Sequence, residues 1–484
     1  MESATLRNYI DGQWVASSSG ETLDTHDPLT GKPVAKVPLS TPNEVHAAVA
    51  AAKAAFQEWR ETPVLTRAQH MFRLKEVMET RFEELAGTIS KEHGKTIDEA
   101  RGEVRRTIEN VEVAAGAPRM MMGYNTEDVA AGIDEEVVLQ PVGVFCAVTP
   151  FNFPAMVPFM FLPYAVACGN TYIVKPSEIC PAGTAMLFDI MEEADFPPGV
   201  VNMIHGAGET VDALLTHPDV AGVSFVGSTP VGKHIYSTAA AHGKRAQSQM
   251  GAKNCLVMMP DAPVDRTVPA ILSSVFGNAG QRCLAGSLVL AVGDVYEPLK
   301  ARLVEAAARI KVGGGLDEAV QMGPVVTHRA QERILGYIEK GIEEGAELIL
   351  DGRQVAVEEH PDGCFIGPTI FDKVRPEMVI AREEIFGPVM GILHVADFEE
   401  ALAIIESIPY GNAASLFTSN GKWAREFKYR VRAGNIGVNI GVPAPLSTYP
   451  LCGLKESFHG DLHGQGLDAF QFFTDRKVVI TRWS

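Results

Sequence analysis

Apolar positions recur at helical spacing through three stretches near the start of the chain: an Ala-rich run ending at Arg60, a second from about Arg67 to Leu85, and a third from about Asp98 to Ala117. The first is opened by Thr41-Pro42-Asn43-Glu44, a capping box with Pro at the first helical position, and the third is expected to stop at Pro118. The rhythm then changes. Val142–Val148, Thr171–Val174, Val200–Ile204 and Gly222–Phe225 are short apolar runs that predict buried strands, and Ala155–Cys168, Ala182–Glu193, Thr210–Thr216 and a segment from Pro230 predict helices between them. The alternation resumes after Gly251 with strands at Asn254–Met259 and Leu288–Val292 and helices at Val264–Asn278 and Glu297–Ile310. Such alternation predicts an α/β protein with two doubly wound, Rossmann-like parallel sheets. The expected boundaries are 1–122 with 141–250 for the first domain, 251–446 for the second, and 123–140 with 447–484 for a small β element and C-terminal arm. In that last group Ile133–Leu139 and Phe472–Arg482 alternate apolar with polar residues, and each needs a partner sheet.

Composition narrows the function more than the fold. With 484 residues, 46% hydrophobic and 21% charged, the chain is an ordinary globular enzyme in make-up rather than a disordered or fibrous one. Its 60 acidic residues against 42 basic ones leave a net charge of −18, which repels phosphate backbones and anionic lipid, so neither nucleic acid nor membrane is expected as a partner. The uncharged stretch from Val137 to Val174 is long enough to span a bilayer, but Pro141, Pro150, Pro154, Pro158 and Pro163 interrupt it, and buried strand, loop and helix explain it better. Seven Cys without any Cys-x-x-Cys pair, and no signal pattern in Met1–Thr5, predict a reducing, cytoplasmic setting.

One cysteine stands apart. Cys283 lies within Gly277-Asn278-Ala279-Gly280-Gln281-Arg282-Cys283-Leu284-Ala285-Gly286-Ser287, where small residues after a helix let backbone and ligand approach closely, as a nucleophile loop requires. The other six read as structural. An unperturbed thiol is only a few per cent thiolate near neutrality, so the loop must supply activation. Thr149-Pro150-Phe151-Asn152-Phe153-Pro154 follows the first strand of the alternation, where ligands sit in open α/β sheets, and Asn152 can donate its amide hydrogens to an oxyanion; as a bare pattern, Asn beside Pro is also a common turn. Lys175 and Glu178 end the next strand, in reach of ribose hydroxyls, and Gly227-Ser228 open a helix whose N-terminus can receive pyrophosphate. No Gly-x-Gly-x-x-Gly occurs in these turns, so the residues point to a nucleotide without specifying which. His459 and His463 are four apart but have no third ligand in register, and no metal site is expected. Met120-Met121-Met122 reads as packing.

Asn152 in its Thr-Pro-Phe-Asn-Phe-Pro setting, Lys175-Pro176-Ser177-Glu178, Gly227-Ser228-Thr229, Gly280-Gln281-Arg282-Cys283 and Glu383-Glu384-Ile385-Phe386-Gly387-Pro388 resemble, in order and spacing over nearly the whole chain, the aldehyde dehydrogenase superfamily. The resemblance implies that Cys283 is the nucleophile, that Asn152 and the Cys283 N–H form the oxyanion hole, and that Thr149, Phe151, Lys175, Glu178, Gly227, Ser228, Glu384 and Phe386 line an NAD site. It also implies that the two stray β segments join neighbouring subunits in a homodimer or homotetramer. One departure is informative: hydrolytic members carry Glu-Leu-Gly-Gly-Lys where this chain has Gln249-Met250-Gly251-Ala252-Lys253. Gln249 cannot take a proton, and general-base catalysis contributes roughly 10²–10⁴-fold, so water should deacylate a thioester slowly and coenzyme A becomes the expected acceptor.

Ile108-Glu109-Asn110-Val111-Glu112, Gly251-Ala252-Lys253-Asn254, Gly441-Val442-Pro443-Ala444-Pro445 and Ser457-Phe458-His459-Gly460-Asp461 further resemble methylmalonate-semialdehyde dehydrogenases. That resemblance implies a small aldehyde substrate bearing a carboxylate, held by Arg106 and Arg282, oxidised through a Cys thioester with loss of CO₂ and acyl transfer to coenzyme A. For Arg106 the plain alternative is an ion pair with Glu103 or Glu109 on its own helix. Arg282 has no comparable local partner and is expected to face substrate. The other readings are a hydrolytic dehydrogenase releasing a free acid and, in a different class, a catalytically silent homologue.

Overall fold

The computed structural model describes residues 4–483. Strands β1 (Val144–Val148), β2 (Thr171–Lys175), β3 (Val201–Met203), β4 (Val220–Val226) and β5 (Arg245–Gln249) run parallel in the spatial order β5-β4-β1-β2-β3. Antiparallel strands extend this to an eight-stranded sheet, Phe458–His459 beside β5 and the hairpin of Arg7–Ile10 and Gln13–Ala16 beyond β3. Alternate residues serve opposite faces. Phe145, Ala147, Tyr172 and Val174 pack into one core cluster, and Val144, Cys146, Ile173 and Val223 into another. Burial on both faces is why these runs are continuously apolar. From β1 the chain winds outward to β2 and β3, then returns to lay β4 and β5 on the other side, which opens a crevice between the carboxyl ends of β1 and β4.

The second sheet holds β6 (Asn254–Met258), β7 (Gly286–Val292), β8 (Thr369–Asp372), β9 (Val389–Val395), β10 (Ala413–Phe417) and β11 (Asn435–Val438) in the parallel order β8-β9-β7-β6-β10-β11, with Glu347–Leu350 antiparallel on β8. It has a core cluster of its own. Both sheets are parallel α/β, as the alternation of strands and helices predicts.

Several expected elements are divided. The first helix, α1 (Pro42–Glu61), carries its capping box, with the Thr41 N–H donating to Glu44 Oε2 at 2.7 Å. The stretch expected as one helix from Arg67 to Leu85 is two, α2 (Val64–Thr80) and α3 (Phe82–His93), broken at Arg81, because helical apolar spacing continues across the break. Next, α4 (Ile97–Ala114) ends before Pro118, which instead sits in the first turn of a separate short helix where its missing N–H costs nothing. Ala155–Cys168 resolves into two short helices, Met156–Phe159 and Leu162–Ala167. The strands before Thr41 are short and largely exposed, and their pattern is too weak to predict.

The two stray β segments find their partner in each other. Thr474–Arg482 pairs antiparallel with Ile133–Pro141, from Thr474 opposite Pro141 to Arg482 opposite Ile133, and Tyr124–Ala130 completes a three-stranded sheet. Val478, Ile480 and Trp483 are exposed on it. Among the described residues all seven cysteines are free, and no helix is long and apolar enough to cross a membrane.

Candidate active site

After α5 (Thr229–Ala241), the helix α6 (Val264–Phe276) runs into a tight turn, Gly277–Gly280, in which Asn278 and Ala279 adopt left-handed backbone angles, φ 54° and 50°. Two such residues in succession store strain that the surroundings must hold. Asn278 donates its side-chain amide to Gln281 O at 3.0 Å and its N–H to Glu99 Oε1 at 2.6 Å. Gly280, φ 71°, packs against the segment that leads into β9 of the same sheet, where a Cβ would stand 2.1 Å from Gly387 O. Cys283 comes three residues later. Its carbonyl accepts from Nδ2 of Asn254 at 2.8 Å and of Asn412 at 2.7 Å, at the amino ends of β6 and β10, so the nucleophile's backbone is fixed to the second sheet. The activation expected of the loop is corrected: burial and then the Glu384 charge push the thiol up to about 11, opposed by the N–H groups of Cys283 and Leu284 and by Arg282.

The facing wall comes from the carboxyl end of β1. Asn152 is buried and donates Nδ2 to Gln281 O at 3.1 Å, which brings it to the nucleophile loop. Its own carbonyl accepts from Lys95 Nζ at 2.7 Å. Lys95 also pairs with Glu103 at 2.7 Å, both side chains fully enclosed, and its ammonium stands 4.2 Å from the Phe153 ring centroid. The second Glu103 oxygen accepts the N–H groups of Ala155 at 2.9 Å and Met156 at 3.2 Å. Lys95 and Glu103 thus fasten the Asn152 loop from beneath. Neither was anticipated, although the sequence holds a signal for them: Glu99, Glu103, Arg106 and Asn110 recur at four-three-four spacing, a polar stripe down one face of α4.

Arg106 and Arg282 line one cavity of about 270 Å³ together with Cys283, Phe153, Met156 and Leu284. Each guanidinium already has a carboxylate. Arg106 Nη1 pairs with Glu109 at 3.0 Å, since Glu103 is engaged by Lys95. Arg282 has no local partner, as expected, but a distant carboxylate reaches it: its Nη2 donates to Oε1 of Glu99, on α4, at 2.7 Å.

A groove of about 590 Å³ at the crevice between β1 and β4 is lined by Thr149, Phe151, Lys175, Glu178, Gly227 and Ser228. Lys175 Nζ pairs with Glu178 at 3.1 Å and donates to Gly206 O at 3.0 Å. Ser228 caps α5 without a side-chain hydrogen bond to it, so the first-turn N–H groups remain available to an anion. Glu384 and Phe386 lie in a narrower cleft beside Gly280 and Arg282. Phe386 meets Phe151 edge-on, centroids 5.9 Å apart, and Glu384 Oε1 accepts the Ala252 N–H at 3.0 Å. Burial raises the Glu384 carboxyl to about 7, against the Ala252 N–H and the charges of Lys253 and Arg333. The Arg106–Arg282 cavity and the groove at the crevice therefore flank the Cys283 loop. The carboxyl ends of the first sheet face the amino ends of the second.

Gln249 closes β5 with Nε2 unpartnered and lies against Gly464, outside the lining of the Cys283 cavity. His463 Nδ1 meets Asp468 Oδ2 at 3.2 Å and its ring stacks on Phe458, while His459 packs edge-on against Tyr236. Among the described residues no three potential metal ligands cluster.

Known proteins resemble this chain along nearly its whole length. Residues 14–479 match the aldehyde dehydrogenase family. Malonate-semialdehyde dehydrogenase 3 of Geobacillus kaustophilus is 48% identical over 482 residues, covering 100% of this chain and 99% of its own. Malonate-semialdehyde dehydrogenase 2 of the same organism is 47% identical over 479 residues, 99% of each chain. The crystal structure of methylmalonate-semialdehyde dehydrogenase from Oceanimonas doudoroffii superposes with a TM-score of 0.98 at 42% identity over 99% of both chains. A Sinorhizobium meliloti structure described as a methylmalonate-semialdehyde dehydrogenase, complexed with NAD, gives 0.98 at 41% identity over 99% of this chain and 98% of its own. A family match over residues 14–479 and relatives 47% and 48% identical along essentially the full chain show that the chain belongs to the aldehyde dehydrogenase family.

Proposed function

We propose that the enzyme oxidises malonate semialdehyde or its 2-methyl derivative with NAD and passes the acyl group to coenzyme A. The observation that carries this reading is one cavity holding a cysteine and two guanidiniums from different domains, Cys283, Arg106 and Arg282. The names and the NAD complex of the relatives support it. The groove suits a dinucleotide: Lys175 and Glu178 offer partners to ribose hydroxyls, Gly227 and Ser228 open a helix N-terminus to pyrophosphate, and Thr149, Phe151, Glu384 and Phe386 line its path toward the nucleophile.

The Cys283 thiol loses its proton to solvent, the thiolate Sγ attacks the aldehyde carbon as the C=O π pair moves to oxygen, and the oxyanion that forms is held by Asn152 Nδ2 and the Cys283 N–H. NAD, when bound, supplies the acceptor for the hydride that leaves this carbon. A thioester on Cys283 remains. Its carbonyl withdraws the electron pair released as the β-carboxylate departs as CO₂, and protonation of the resulting enolate gives the acetyl or propanoyl thioester. Coenzyme A thiolate then attacks the carbonyl and Cys283 leaves as thiolate. Exposed apolar Val478, Ile480 and Trp483 on the three-stranded sheet support self-association into a homodimer or homotetramer.

The acceptor is tested by NADH formation with and without coenzyme A, with products identified by mass. Because Gln249 supplies no base, steady-state turnover should fall roughly 10²-fold or more without coenzyme A, whereas one burst equivalent of NADH should still form. Equal steady-state rates would show that water deacylates unaided.

Substrate choice is tested at the guanidiniums. Hydrogen bonds to charged groups are worth roughly 1.5–3 kcal/mol, so Arg106→Leu or Arg282→Leu should cost about ten- to a hundredfold in kcat/KM for malonate semialdehyde. Propanal, lacking the carboxylate, should lose far less. Equal losses on both aldehydes would make these residues structural.

A further inference from the structure

Glu99 occupies a shared position. It stands in the first turn of α4, where Oε2 accepts the Thr96 N–H at 3.1 Å. Oε1 reaches across to the second domain and accepts both the Asn278 N–H at 2.6 Å and Arg282 Nη2 at 2.7 Å. The guanidinium arrives there over a bare backbone: a Cβ on Gly277 would stand 2.2 Å from Nη2 and 2.6 Å from Cζ. The Glu99 and Arg282 side chains are each 18% exposed and line the same cavity as Cys283. Arg282 thus occupies a shaped berth, closed by a carboxylate on one side and floored by glycine.

We propose that Glu99 is a positioning residue that berths Arg282 and yields it to the carboxylate of the substrate. The proposal rests on the reading of the substrate as a semialdehyde acid. A bidentate grip on that carboxylate needs the planar fork turned toward it, and Nη2 is committed to Glu99 in the berth. Apparent affinity is then reduced by the fraction of time Arg282 spends berthed. When Arg282 leaves, the Asn278 N–H still donates to Oε1, so Glu99 is not left without a partner. Two carboxylates, one in the protein and one in the substrate, therefore compete for one guanidinium.

Two variants empty the berth by different means. Glu99→Gln removes the charge while keeping side-chain size and one acceptor oxygen. Gly277→Ala fills the floor at a backbone position, φ −57°, that alanine adopts without strain. Binding of malonate, an unreactive dicarboxylate, to the NAD-loaded enzyme is measured by calorimetry, beside KM and kcat for malonate semialdehyde and propanal. Both variants should bind malonate about tenfold more tightly, with KM for malonate semialdehyde falling by a similar factor relative to propanal. Adding Arg282→Leu to either should abolish the gain. Unchanged or weaker malonate binding in both, with kcat for the two aldehydes lowered together, would mean that Glu99 only braces the turn and would overturn the proposal. Should Glu99→Gln not fold, Gly277→Ala decides on the same readings. A wild-type enzyme that does not prefer malonate semialdehyde to propanal would instead sink the substrate reading, which separates the two failures.

Discussion

Cys283→Ser should lower NADH formation by roughly 10³-fold or more, the scale of loss that follows removal of a nucleophile. The fold should survive, because the anchors of this residue are hydrogen bonds from Asn254 and Asn412 to its carbonyl, which the substitution does not touch. Nucleotide binding measured by calorimetry and the thermal midpoint should therefore stay near the wild-type values while chemistry is lost. A hydroxyl in the same place is far harder to ionise than a thiol. The thiol itself is held protonated, at about 11, by burial and by Glu384. Iodoacetamide should accordingly alkylate wild-type enzyme faster as pH rises, approaching tenfold for each pH unit well below that value. Turnover by the Ser variant within tenfold of wild type would remove Cys283 from the chemistry, and a pH-independent alkylation rate around neutrality would contradict the raised thiol.

Lys95→Met should cost stability on a comparable scale. Removing one member of a buried ion pair leaves the other charge uncompensated, at about 3–5 kcal/mol. Here Glu103 would be stranded with both its oxygens in the interior, satisfied only by the N–H groups of Ala155 and Met156. Denaturant unfolding should report the loss directly. Lys95→Met with Glu103→Leu should recover part of it, since replacing both charges by apolar groups is much milder. Catalysis should not recover with it: the Asn152 carbonyl would still lack its ammonium, and kcat should remain low in the double variant. A single variant within about 1 kcal/mol of wild type would show that the pair is stabilised less by its burial than by contacts still present.

The sheets were legible because doubly buried strands are written as unbroken apolar runs, as in Val144–Val148 and Thr171–Lys175. Helix breaks were not: Arg81 interrupts a stretch whose apolar spacing is helical on either side, and periodicity carries no mark for a turn that preserves phase. The strands before Thr41 escaped notice because short, exposed strands need no alternation. The tight loop before Cys283 was legible in its small residues, which geometry explains through the close approach of Gly280 to Gly387. The charged supports were not recognised. Glu99 and Arg282 are 183 residues apart in sequence, and the default for Lys95, Glu99 and Glu103 near a helix start is solvent. Only the polar stripe along α4 hints otherwise.

The carbonyl of Cys283 is bolted to the second sheet by Asn254 and Asn412, and that of Asn152 to the helices over the first sheet by Lys95. Sulfur and amide therefore belong to different walls of a seam, bridged locally by the Asn152 bond to Gln281 O, by the Asn278 amide on the Asn152 carbonyl at 3.5 Å and by the Glu99 contacts. A slight tilt of one wall changes the gap between the reacting groups before it reshapes either ligand pocket. Turnover and affinity are in this sense tuned by separate screws: substitutions that shift the Cys283 or Asn152 backbone should move kcat first, and those that only change what a guanidinium rests on, the Glu99 berth among them, should move KM.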